Sequence, residues 1–135
     1  MKTYVIITAL TLAALPAWAG DAAKGEAEFS KCKACHSIIA DDGSAIVKGG
    51  KTGPNLYGVI GRPVASVADF KYGDGILEAG ATGAVWDEAA LALYVADPST
   101  WLKGITGNAD AKSKMSFKLA AGGADVAAYL ATVKP

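Results

Sequence analysis

An all-α domain with long loops is the fold class that this sequence predicts, on three observations. In the last segment Val126, Tyr129, Leu130 and Val133 fall at i, i+3, i+4 and i+7, the spacing of an amphipathic helix. Nowhere do apolar and polar residues alternate convincingly, as they would in a half-buried strand. Long polar, glycine-containing stretches separate the helical patterns, which is unusual for so small a core unless a large cofactor fills it.

Taken in order, Asp21 caps a helix running from Ala22 to about Lys33, in which Ala, Lys and Glu favour the helix and Gly25 opposes it. A glycine inside a helix costs about 1 kcal/mol relative to alanine, so Gly25, on the face of Phe29, marks a close approach by another element. Between Ser37 and Gly53 the pattern fails. Asp41-Asp42-Gly43 and Gly49-Gly50 mark turns in a long surface loop around Ala45 to Val47. Pro54 fixes its own φ and restrains Gly53 to extended or turn geometry. Gly58, Gly61 and Pro63 keep the next segment, which contains Arg62, non-helical. Weak helical stretches are expected around Ser66 to Tyr72 and around Gly75 to Ala79. Asp87 caps a helix from Glu88 to about Ala96, ended by Asp97-Pro98, with Leu91, Tyr94 and Val95 on its inner face. A shorter helical turn carries Trp101 and Leu102, a loop from Gly104 to Lys114 leads to Met115, and a final helix spans Asp125 to Val133.

The 135 residues are read as one domain preceded by a leader. Lys2, the apolar run Val5 to Leu15 and the small-x-small site Ala17-Trp18-Ala19 predict a secretory signal peptide over residues 1–19, leaving a domain over 20–135. The run is short for a bilayer span and Pro16 breaks it, so a retained membrane anchor is the weaker alternative. Export places the domain in an oxidising compartment, where free thiols pair or are consumed.

Both cysteines and the only histidine lie within Cys32-Lys33-Ala34-Cys35-His36. Cys-x-x-Cys-His is the attachment signal of a c-type haem: both sulfurs form thioethers and the histidine binds iron. One haem c, covalent through Cys32 and Cys35, is therefore expected. A zinc site needs about four ligands, and no further Cys or His exists to complete one. A dithiol redox site stays open as an alternative, although that motif usually follows a strand and this one ends a helical pattern.

The residue opposite His36 decides between electron transfer and reaction with small ligands. With Met1 in the leader, Met115 is the only remaining thioether. It stands in a polar loop between lysines, an address that suits a metal bond better than core packing. His36 and Met115 are thus the expected metal ligands. A soft thioether favours ferrous iron and raises the reduction potential. Filled axial positions leave outer-sphere electron transfer and no catalytic residue. An open sixth position would instead indicate a haem enzyme or a gas-binding protein.

Cys32 to His36, Thr52 to Leu56, Gly61-Arg62, Phe70-x-Tyr72, Trp86, the helix end Tyr94 to Pro98, Met115 and Ala128-Tyr129-Leu130 resemble, in that order, the class I cytochromes c. The likeness is strongest to the cytochromes c2 of purple photosynthetic bacteria and covers essentially all of residues 20–135. It implies a small cytochrome c fold, with crossing terminal helices and long loops wrapped round one covalent haem. It also implies a soluble carrier that moves electrons from the cytochrome bc1 complex to a photosynthetic reaction centre or terminal oxidase. By the same resemblance, Pro54 offers its carbonyl to the Nδ1 proton of His36. Arg62, Tyr72 and Trp86 reach the haem propionates, Tyr94 approaches the Met115 sulfur, and Ser113 stands where a propionate-binding threonine is usual. Gly25 with Phe29, and Tyr129 with Leu130, form the helix crossing. Compared with short members of the family, the segments from His36 to Thr52 and from Pro98 to Met115 are extended.

Basic and acidic residues number 13 each, but they are unevenly spread. Lys31 and Lys33 flank the cysteines, and Lys112, Lys114 and Lys118 surround Met115. Under the resemblance these lysines converge as a docking rim for membrane electron-transfer complexes. The acidic stretch from Asp69 to Asp97 covers the opposite side, and the carrier acts as a monomer. Nothing in the pattern points to nucleic acid.

Overall fold

The computed structural model describes residues 19–135. The leader expected over residues 1–19 lies, apart from Ala19, outside the described residues. Five α-helices follow in order: α1 (Ala22–Glu28), α2 (Asp74–Ala81), α3 (Glu88–Ala96), α4 (Pro98–Thr106) and α5 (Gly123–Thr132). A 3₁₀ turn, Phe29–Lys31, extends α1 toward the cysteines. Among the described residues no helix is long and apolar enough to cross a membrane.

The capping residues set the helix limits. Asp21 accepts from the backbone N–H of Ala23 and Lys24 at 3.0 and 3.2 Å and starts α1. Asp97 serves two helices. The residue before a proline is disfavoured in helical geometry, so α3 stops at Ala96. Pro98 then occupies the first turn of α4 while the Asp97 carboxylate accepts from Thr100 N at 3.0 Å. The expected short turn around Trp101 is therefore a nine-residue helix, and Gly107 in left-handed geometry (φ 70°) ends it.

The segment expected to be loop from Ser37 to Gly53 contains a small antiparallel hairpin, β1 (Ile38–Ile39) with β2 (Ala45–Val47). Two and three residues are too few to show an alternation in sequence. The helical stretch expected over 66–72 does not form. Ala65 and Asp69 take left-handed φ values of 59° and 61°, which break a helix, and the Tyr72 hydroxyl accepts the backbone N–H of Val67.

α1 and α5 cross at Gly25, where an added Cβ would collide with the Asp125 carbonyl and lie 2.9 Å from the Tyr129 Cβ. Phe29 packs on Tyr129 with ring centroids 5.7 Å apart. Phe29, Ile38, Leu102, Val126 and Leu130 are fully buried, and the helices pack with α1 and α3 against α5 and with α4 against α3 and α2. Cys32, Leu56, Trp101 and Met115 pack against that core from its edge, partly exposed.

Candidate functional site

The 3₁₀ turn carries the chain into Cys32, whose carbonyl accepts the N–H groups of Cys35 and His36 at 3.1 and 3.0 Å. Both thiols are unpaired. Burial and the neighbouring Glu28 push the Cys32 thiol up, against the opposing pull of Lys31. That is the reverse of a dithiol redox centre, in which a lowered thiol supplies the nucleophile. The chain from 49 to 53 lies directly on this turn: Gly50 donates to the Lys33 carbonyl at 2.9 Å and Gly53 to the Cys35 carbonyl at 2.8 Å.

His36 is held on one side only. Its Nδ1 lies 2.8 Å from the Pro54 carbonyl. A carbonyl can only accept, so Nδ1 carries the proton and Nε2 keeps its lone pair. Burial lowers the imidazole pKa, with the Pro54 bond opposing, and favours the neutral ring. Gly53 is required here, because a Cβ at that position would fall on the imidazole itself.

Apart from Tyr72, the expected site residues from Pro54 to Met115 form one connected series. The Asn55 side chain accepts from Ile39 N and donates to Ile39 O, at 2.9 and 2.8 Å, and so joins the Pro54 segment to the hairpin. Arg62 donates to the carbonyls of Asn55 and Tyr57 at 3.1 and 3.2 Å. Its own carbonyl accepts from Trp86 N at 2.9 Å. The Trp86 ring meets the Tyr94 ring edge-on at 5.0 Å. The Tyr94 hydroxyl is 3.1 Å from Ser113 Oγ, which accepts the Met115 N–H at 3.0 Å. Burial raises the Tyr94 phenol, partly offset by Ser113, so it stays a neutral hydrogen-bonding group. Tyr72 stands apart from this series, with its oxygen accepting from Val67 N and its own proton still available to donate.

No protein-family model matches the chain. Cytochrome c2 of Rhodobacter capsulatus is 59% identical over 133 residues, covering 96% of this chain and 97% of that protein. The chain belongs to the cytochrome c2 family. Cytochrome c-550 of Paracoccus versutus is 60% identical over 139 residues, covering 100% of this chain and 90% of its own. The solved structure of ferric cytochrome c-550 from Paracoccus versutus superposes with a TM-score of 0.83 at 62% identity, covering 86% of this chain and 99% of that one. The fold is thus that of a class I cytochrome c, and the protein is an electron carrier rather than an enzyme.

A cytochrome c2 carries one covalent c-type haem, and the residues present fit it. Two unpaired cysteines share a turn with an imidazole whose Nε2 has no hydrogen-bond partner among the described residues. A single partly buried thioether, Met115, is fixed by its backbone. An imidazole nitrogen and a soft sulfur are donors that haem iron accepts.

Sequence reasoning missed three contributors. Trp101 stacks on Trp86 at 5.0 Å and 26°, extending the aromatic cluster onto α4. Asn55 and Gly53 build the seat of His36, and their sequence signal is membership of the Thr52 to Leu56 motif, which by itself assigns neither a role. The charge pattern also needs correction. Asp74 and Glu78, expected away from Met115, line the same cleft as Lys112 and Lys114. Three of the five rim lysines are engaged within the molecule. Lys31 pairs with Glu28 and Lys118 with Asp97, each at 2.6 Å, and Lys114 donates to backbone carbonyls.

Proposed function

We propose that this cytochrome is a soluble one-electron carrier of the periplasm, freed of residues 1–19, in which Cys32 and Cys35 would hold the haem and His36 and Met115 would bind its iron. The observation that carries the reading is the His36 ring, donating from Nδ1 to Pro54 at 2.8 Å with Nε2 unspent, in the same turn as two unpaired thiols. When bound, the haem supplies reversible one-electron exchange between ferric and ferrous iron without making or breaking bonds.

Each residue of the candidate site has a part in that exchange. Pro54 keeps the imidazole oriented and electron-rich. Met115 would supply the thioether that keeps oxygen and other small ligands from the iron, and its weak donation would favour the reduced state. Ser113 and Tyr94 hold the segment from which that sulfur projects. Arg62, Trp86 and Tyr72 set a cation and two neutral donors toward the propionates, offsetting the cost of burying carboxylates. Arg62 also braces Asn55, next to Pro54. Ser113 accepts from the Met115 N–H and pairs with the Tyr94 hydroxyl, so it holds the methionine segment, and where Tyr94 is the donor its own proton is left for a propionate.

Lys31, Lys33, Lys112, Lys114 and Lys118 form the rim that meets acidic surfaces on the cytochrome bc1 complex and on a reaction centre or oxidase, and attraction across the gap speeds encounter. The deciding measurement is the absorption spectrum of the oxidised holoprotein. A weak methionine-to-iron band at the red end is expected, and Met115→Ala abolishes it, lowers the potential and admits carbon monoxide to the reduced protein. An unchanged potential in that variant rules out the ligand assignment. Intact mass gives the second check: residues 20–135 plus one haem.

A further inference from the structure

The long connection from α4 to Met115 is fastened at a second place, independent of Tyr94 and Ser113. Gly73 and Gly75, both buried, open α2 and let this connection lie against the helix backbone. A Cβ on Gly75 would stand 2.6 Å from the carbonyl oxygen of Lys112 and 3.2 Å from its nitrogen. One on Gly73 would stand 2.9 Å from Cγ of Lys114. The Lys114 stem runs over Gly73, and its ammonium donates to the carbonyls of Lys71 and Tyr72 at 3.3 and 3.4 Å. Further along α2, Glu78 Oε2 accepts from Asn108 Nδ2 at 2.9 Å. Asn108 also shapes the turn itself, accepting from Asp110 N at 2.9 Å and, through its carbonyl, from Ala111 N at 3.1 Å. Ala111, between these attachments, is buried.

We propose that α2 is the rail that sets the methionine: Gly73, Gly75 and Glu78 are positioning residues that hold segment 108–114 and so govern how often the Met115 loop leaves the sixth position. The inference rests on Met115 being an iron ligand. The loop can open fully only when both fastenings release, one at Ser113 and one at α2. Weakening the α2 seat raises the open population without touching either axial ligand.

Two readouts test this on the ferric holoprotein. One is the rate at which imidazole enters the sixth position. The other is amide hydrogen exchange over 107–116, with α5 as the internal control. Gly75→Ala is expected to speed both by about tenfold or more, since the colliding atom is backbone and cannot swing aside. Glu78→Ala removes one hydrogen bond and is expected to speed both about threefold to tenfold. Glu78→Gln keeps an acceptor for Asn108 and is expected to stay within about twofold of the parent, which a purely electrostatic role for Glu78 would not allow. If Gly75→Ala does not fold, the Glu78 pair decides. Unchanged exchange over 107–116 in Glu78→Ala overturns the proposal. Imidazole entering the parent as fast as it enters Met115→Ala overturns the ligand assignment instead.

Discussion

Tyr94 and Ser113 place their hydroxyls 3.1 Å apart, and the Ser113 oxygen accepts the Met115 N–H at 3.0 Å. A helix side chain and the backbone of the proposed ligand thus share one serine. Ser113→Ala strips the Met115 N–H of its acceptor and Tyr94 of a partner, and two lost bonds amount to about 1–3 kcal/mol of local stability. On heating, the methionine band is expected to vanish well before α5 melts in the variant, with a smaller gap in the parent. Ser113→Thr keeps the hydroxyl and restores the parent behaviour. Loss of band and helix together in Ser113→Ala would show that the serine does not hold the loop.

Gly53 makes the second prediction. A methyl there would overlap the imidazole of His36, so Gly53→Ala must displace either the ring or the Pro54 segment. Overpacking of this kind costs about 1–3 kcal/mol, and here it falls on the bond that orients a ligand. The expected outcome is a lower yield of haem-loaded protein and, in what assembles, a shifted potential. Asn55→Ala, which frees the segment from Ile39 without adding bulk, should lower stability with a smaller change in potential.

How much of this was legible in the sequence depends on how local each signal is. Cys32, Cys35 and His36 lie within one turn, so adjacency reveals them. α3 carries apolar spacing and the Asp87 cap, α5 carries apolar spacing alone, and these signals place both helices within two residues of their limits. The hairpin is not legible, because strands of two and three residues, with Ile38 facing Val47, leave no alternation pattern. α4 was truncated in the reading because Pro98 registers as a stop, whereas at the first helical position it is equally a start. Asp74 and Glu78 looked like part of an acidic back, since only the folded 108–114 segment brings Lys112 and Lys114 beside them.

Asp97 supplies a pH prediction. Its carboxyl is held below the ordinary range by Lys118 first and by the Thr100 N–H second. A lowered folded value means its contribution is complete above the unfolded carboxylate range, about pH 4, and is lost as pH falls through the folded value. Asp97→Asn keeps an N-cap acceptor for α4 and discards the ion pair. The variant is expected to melt slightly below the parent at pH 7, with the two curves merging under strong acid. A difference that persists there would mean the cap, not Lys118, is responsible.

The rim lysines should not contribute equally. Lys31 and Lys118 each have a carboxylate at 2.6 Å, which cancels much of their charge at a distance, whereas among the described residues Lys33 and Lys112 enter no ion pair. Lys33→Gln or Lys112→Gln is therefore expected to slow low-salt association with an acidic partner more than Lys31→Gln or Lys118→Gln. The salt dependence should flatten in the same order. Equal effects at all four positions would mean that the pairs dissolve on approach.

Gly25 sets two effects against each other. Alanine at an internal helix position gains about 1 kcal/mol over glycine through propensity. At this crossing the added methyl would meet the Asp125 carbonyl, and backbone on the partner helix cannot rotate away. Forcing apart α1 and α5 would also disturb the Phe29–Tyr129 contact, so the overpacking cost of about 1–3 kcal/mol should exceed the gain. Gly25→Ala is expected to lower the unfolding free energy, read by chemical denaturation, by a net of up to about 2 kcal/mol while leaving the methionine band at room temperature unchanged. A stabilised variant would show that the two helices pass with room to spare, and that glycine was kept at this position for another reason.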